Sequence, residues 1–212
     1  MHFRDREDAG RRLGELVASK LDGSDVMVLG LDPGGLPVAV EVARRLRAPC
    51  DVFVVRKLLV PDADPSVSLG ALATGGIQVI DEGLIERRRI PEPVLAAVVA
   101  QEMRELRRRE LMLRRQRVDY EVRDRRALLV DDGLATGAKM RAAIAAVRRL
   151  GAREVHVAVP VCAAPARAAV EREADGLFCM AEGATADHYD RFDALDDAEL
   201  LALLDSVGPT PV

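Results

Sequence analysis

Two adjacent carboxylates, Asp131 and Asp132, end the apolar run Ala-Leu-Leu-Val and precede Gly-Leu-Ala-Thr-Gly-Ala-Lys-Met. Paired carboxylates accept hydrogen bonds from sugar hydroxyls or hold a hydrated magnesium ion. A phosphate would be repelled by them, so its place lies past Gly133, on the amides of Leu134, Ala135, Thr136, Gly137, Ala138 and Lys139. Small residues there let the backbone close around an anion at a helix start. The order suits a ligand that carries both ribose hydroxyls and a phosphate. A second turn, Asp32-Pro33-Gly34-Gly35, also frees amides to approach an anion, and Arg56 with Lys57 closes another apolar run.

These groups need a scaffold that gathers strand ends. Residues 127–130 have the length and apolarity of a buried parallel strand, and residues 138–150 place Met140, Ile144, Val147 and Leu150 at helical spacing. The acid pair then sits at the carboxyl end of a strand, where open α/β sheets bind ligands. Further strands are predicted over 25–32, 51–57, 76–80, 153–161 and 175–180. Helices are predicted over 11–21, 38–47, 91–116, 165–174 and 196–206. Residues 58–76 carry Pro, Asp, Ser and Gly with little periodicity and read as a long functional loop. Strand–helix alternation predicts an α/β fold, with a doubly wound, mainly parallel sheet and helices on both faces, as one domain over 1–212.

Composition narrows the function classes. At 212 residues and 49% apolar, the chain can bury a sizeable core. Its net charge of −4 gives no reason to expect nucleic acid or an anionic membrane as partner. No apolar stretch approaches the ~20 residues that span a bilayer, and the charged start is unlike a signal peptide. Cys50, Cys162 and Cys179 are scattered and read as reduced thiols of a cytoplasmic protein. His2, His156 and His188 share no metal spacing. The glycine loop follows the acids instead of preceding a Lys-Ser/Thr, so it is not a nucleotide P-loop. A GxGxxG turn and a GxSxG elbow are also absent. Arg107–Arg109, Arg114, Arg115 and Arg117 form either a basic patch for RNA or, the favoured reading, a solvated helix face balanced by Glu.

At Ala127–Gly137 the sequence resembles the type I phosphoribosyltransferases, whose signature for phosphoribosyl diphosphate (PRPP) is four apolar residues, two acids and a small Thr/Gly-rich loop. The resemblance extends over nearly the whole chain and implies the family's fold with a small hood. It also implies transfer of ribose 5-phosphate from PRPP to a nitrogenous acceptor, with magnesium bound and pyrophosphate released. Asp131 and Asp132 would grip the ribose hydroxyls and, through water, the metal. Residues 133–139 would hold the 5′-phosphate, and Asp32, Pro33, Gly34, Gly35, Arg56 and Lys57 would face the diphosphate. Asp131, Asp132 and Lys57 would be the catalytic groups.

The loop around Ser66, Ser68, Gly70, Ala71 and Ala73 resembles the family's flap. His188, Tyr189 and Phe192 resemble an aromatic hood within 180–193, where they either sandwich an acceptor base or anchor the last helix. Many members are homodimers. The chain departs from the pattern in four places. Gly133 replaces an aliphatic residue, Ala135 a Thr or Ser, Lys139 a Thr or Ser that binds phosphate, and Pro33 an Arg. Two function classes therefore stand: an active transferase, or a PRPP- or nucleotide-binding regulator on the same fold.

Overall fold

The computed structural model describes residues 1–59, 68–114 and 121–207. In chain order its elements are α1 (Arg6–Ala18), β1 (Val26–Leu31), α2 (Gly35–Leu46), β2 (Cys50–Phe53), β3 (Val55–Leu59), β4 (Ser68–Ala73), β5 (Ile77–Ile80) and α3 (Glu82–Arg88). These are followed by α4 (Glu92–Arg114), β6 (Arg126–Val130), α5 (Ala138–Arg149), β7 (Glu154–Cys162), α6 (Ala164–Glu171), β8 (Gly176–Glu182) and α7 (Asp197–Ser206). Five strands form a parallel sheet in the order β2-β1-β6-β7-β8. The order reverses at β1, so the crevice between the carboxyl ends of β1 and β6 is the topological switch point where such sheets take ligands.

All six residues of β1 are buried, which explains why it reads as an unbroken apolar run. Val26 and Val28 face one core, closed by α1, α2, α4 and α7. Met27, Leu29 and Leu31 face the other, closed by α5 and α6. Each such Leu or Val stabilises the fold by about 1.5–3 kcal/mol relative to exposure. Among the described residues no helix is long and apolar enough to cross a membrane.

The expected strand over 51–57 is two strands. β2 ends at Phe53, and β3 turns away to begin a second, antiparallel sheet in the order β3-β4-β5. The expected loop over 58–76 thus contains a strand, β4, that its Gly- and Ala-rich sequence conceals. Leu69 and Leu72 face one core and Ala71 and Ala73 the other, so tertiary burial overrides weak strand propensity. Gly70 at φ +144 lies against the Val79 carbonyl, where no side chain fits. Ser66 lies outside the described residues, as do Arg115 and Arg117. The helix expected over 91–116 is preceded by an unforeseen α3, whose N-terminus is capped by Asp81 accepting from the Leu84 amide.

Helix α2 begins three residues earlier than its apolar spacing predicts, so the glycine pair is the start of the helix itself. That start is pressed against β6: a Cβ on Gly35 would lie 2.4 Å from the Val130 carbonyl oxygen and 2.9 Å from Asp131 Cα. Both neighbours are backbone and cannot move aside. Gly35→Ala is expected to lower unfolding stability by about 1–3 kcal/mol in urea titration; an unchanged midpoint would contradict this packing.

Candidate active site

The acid pair leaves the end of β6 directly opposite the glycine turn that ends β1. A Cβ on Gly34 would lie 2.1 Å from Asp132 Oδ2, so a larger residue there would displace the Asp132 carboxylate. Two helices aim their N-termini into the crevice: α2, capped by Gly34, and α5, capped by Gly137 at φ +75. Among the described residues, the amides of Gly34, Gly35, Ala135, Thr136, Gly137 and Lys139 donate no hydrogen bond within the chain. Unspent amides at a helix start, with the positive end of its dipole behind them, are anion sites.

The expected phosphate loop is corrected at one end. The Leu134 amide donates to Val161 O at 2.9 Å, and Leu134 O accepts from Ala163 N at 2.8 Å. Leu134 therefore stitches the loop to β7 and has no amide to offer, and the Ala138 amide already points to Thr136 Oγ1 at 3.4 Å.

Each carboxylate has its own cation. Asp131 is 6% exposed and pairs with Lys139 Nζ at 3.2 Å. Burial pushes its carboxyl up to about 6; the Lys139 charge opposes the rise and the Asp132 charge adds to it. Lys139, which stands where a phosphate-binding hydroxyl is expected, thus turns toward the acids. Asp132 accepts from Arg6 Nε at 2.8 Å, and Arg6 Nη1 donates to Asp193 O at 2.8 Å. Among the described residues no group of three His, Cys, Asp or Glu side chains could hold a metal ion. The two carboxylates are hard oxygen donors that suit magnesium, but only as a site completed by ligand oxygens and water.

Tyr189 is an interior wall, with Phe192 and His188 half-buried beside it. Tyr189 is 6% exposed, and its hydroxyl donates to Asp132 O at 2.8 Å. Its ring lies 5.5 Å from Phe3 and 4.8 Å from Phe192, and the Arg6 guanidinium covers the Phe192 ring at 4.1 Å. His188 Nδ1 bonds the Met1 carbonyl at 2.7 Å. The cluster ties residues 1–6 to the acid pair. Gly133 explains itself here, since its Cβ would lie 2.1 Å from Thr185 Oγ1. Arg6 and Thr185 carry no local signal for this role, and Arg109 departs from the solvated helix face expected for Arg107–Arg109.

Arg56 and Lys57 lie on β3 of the small sheet, not at the edge of the main one. Arg56 is exposed and paired with Glu102 at 2.8 Å, whereas Lys57 has no ion-pair partner among the described residues. Asp32 opens the glycine turn, joined to Pro33 by a cis peptide, and is gripped through both oxygens by Arg109 of α4.

Two helix starts thus flank an acid pair at the switch point. The phosphoribosyl transferase domain model matches residues 4–187. The Mycobacterium tuberculosis protein named "Putative phosphoribosyl transferase Rv0571c" is 40% identical over 207 residues, 96% of this chain and 46% of its own length. The chain spans about half the length of the curated relatives it matches. An amidophosphoribosyltransferase of Pyrococcus horikoshii is 34% identical over 122 residues, 58% of this chain and 24% of that protein. The crystal structure of TT1426 from Thermus thermophilus superposes with a TM-score of 0.84 at 37% identity, covering 96% of this chain and 98% of that one. The family match begins before Arg6 and ends within the Thr185 turn, so it takes in the acid pair, both glycine turns, Arg6, Arg109 and Thr185. The chain belongs to the phosphoribosyl transferase domain family.

Proposed function

We propose that this chain transfers ribose 5-phosphate from PRPP to a nitrogenous base or similar acceptor and releases pyrophosphate. The observation that carries this reading is the order of groups across the switch point. Unspent amides of α5 stand on one side, carboxylates in the middle, and unspent amides of α2 on the other. PRPP has the same order: a 5′-phosphate, ribose hydroxyls, and a diphosphate on C1.

In this reading the amides of Ala135, Thr136, Gly137 and Lys139 hold the 5′-phosphate, while Gly34 and Gly35 face the diphosphate. Asp131 and Asp132 accept hydrogen bonds from the ribose hydroxyls on lone pairs that Lys139 and Arg6 leave open. As the C1–oxygen bond to the diphosphate breaks, positive charge grows on the ring, and fixed carboxylates beside it lower the barrier. The acceptor nitrogen then bonds to C1 and gives up its proton to the departing pyrophosphate. Lys57, the cation of the Arg56–Lys57 pair that lacks a carboxylate partner among the described residues, is the one available to meet the departing charge. Asp131 and Asp132 would hold magnesium, which would supply further neutralisation of the diphosphate. The setting is cytoplasmic, in keeping with three free cysteines.

Pyrophosphate release from PRPP, assayed with magnesium and a panel of purine and pyrimidine bases, tests the reaction. Release that depends on one base supports it, and no release with any acceptor contradicts it. By calorimetry, Asp131→Asn should weaken PRPP binding about 10- to 100-fold, the loss of a charged hydrogen-bond acceptor.

The same carboxylate sets a pH dependence. PRPP hydroxyls need Asp131 ionised, so affinity should fall as pH drops through about 6, by up to tenfold per unit. PRPP phosphates titrate in this range too, but identically for every variant. Lys139→Met removes the charge that favours ionisation, so its acid limb should move to higher pH. A limb that does not move would contradict the pairing.

A further inference from the structure

The glycine turn that faces the diphosphate begins with a carboxylate, an unfavourable neighbour for an anion. Asp32 is mostly buried, and position 33, next to it, is a proline without charge or amide. The matching cation comes from 77 residues away. Arg109 Nε and Nη2 donate to the two oxygens of Asp32, each at 2.8 Å, and its Nη1 donates to the carboxylate of Asp197 in the first turn of α7. The Arg109 side chain is 17% exposed and that of Asp32 10%. Thus Arg109 leaves the solvated arginine face of α4 and turns inward, while its neighbour Arg108 pairs on the surface with Glu105.

Resting on the PRPP reading, we propose that Arg109 is a positioning residue for the diphosphate. It locks Asp32 into a neutral pair, so that the unspent Gly34 and Gly35 amides meet the anion without an opposing charge at the root of their turn. The geometry favours arginine: a planar fork satisfies both carboxylate oxygens at once, whereas an ammonium can hold them only as a point charge. Asp197 fixes the remaining arm of the guanidinium, which ties α4, the turn and α7 into one unit. Arg109 acts through Asp32, not by touching the ligand. In this chain the loop cation that Pro33 lacks is supplied from α4, and it cancels a charge instead of adding one.

The test is calorimetric titration of the full chain with magnesium pyrophosphate and with PRPP, alongside thermal unfolding of each variant. Arg109→Leu exposes the Asp32 charge and should weaken pyrophosphate binding about 10- to 100-fold, as expected for like charges a few ångströms apart near a surface. Combining it with Asp32→Asn should restore binding to within about threefold of the unaltered chain, even if the melting temperature stays low. Asp32→Asn alone removes the negative charge at the root of the turn while Arg109 stays paired with Asp197, and should tighten pyrophosphate binding about two- to tenfold; it carries the test should Arg109→Leu not fold. Equal weakness in the single and double variants would overturn the proposal, since Arg109 would then be a direct contact or a structural brace. Normal binding by Arg109→Leu, or weaker binding by Asp32→Asn, would overturn it as well. If the unaltered chain binds neither compound, the PRPP reading falls and this inference falls with it. Binding in the unaltered chain without rescue in the double variant rejects the Arg109 role alone.

Discussion

Three carboxylates, Asp32, Asp131 and Asp132, converge at the carboxyl end of a parallel sheet, next to helix starts built to attract anions. Left bare, they would repel each other and any phosphate. Each is answered by one cation: Asp32 by Arg109, Asp131 by Lys139 and Asp132 by Arg6. Much of the surrounding architecture follows from that need. The N-terminal segment folds back over the site to deliver Arg6, α4 runs close enough to send in Arg109, and the first turn of α5 carries Lys139.

Partly buried ion pairs add little net stability, because desolvation offsets much of their attraction. Their effect here is on geometry and charge. With cations in place, the carboxylates keep free lone pairs, and the helix-start amides keep their positive field. The aromatic cluster of Phe3, Tyr189 and Phe192 serves the same end, holding Arg6 over the acid pair through ring packing and the Tyr189 hydroxyl. The departures of Gly133 and Lys139 from the familiar pattern fit this picture. Gly133 makes room for Thr185, and Lys139 compensates Asp131.

The order of the main-sheet elements and the acid pair were legible because their signals are local. Apolar runs of strand length, helical spacing and a glycine turn all lie within about a dozen residues of one another. The partners of the carboxylates were not legible, since Arg6 and Asp132 are 126 residues apart and Arg109 and Asp32 are 77 apart. Nothing in the sequence of Arg107–Arg109 marks the one that turns inward. Strand β4 was hidden for a different reason: Gly and Ala have weak strand propensity, and its two-sided burial erases alternation. The Leu134 amide was misassigned because its bond to Val161 depends on how β7 lies beside the loop.

The central claim is spatial: one ligand spans both helix starts with its ribose over the acid pair. A crystal structure of the chain with PRPP and magnesium measures this most directly. The 5′-phosphate should lie on the amides of Ala135, Thr136, Gly137 and Lys139, the ribose hydroxyls on Asp131 and Asp132, and the diphosphate against Gly34 and Gly35. A phosphate bound away from the α5 start, or ribose hydroxyls turned away from the acid pair, would contradict it.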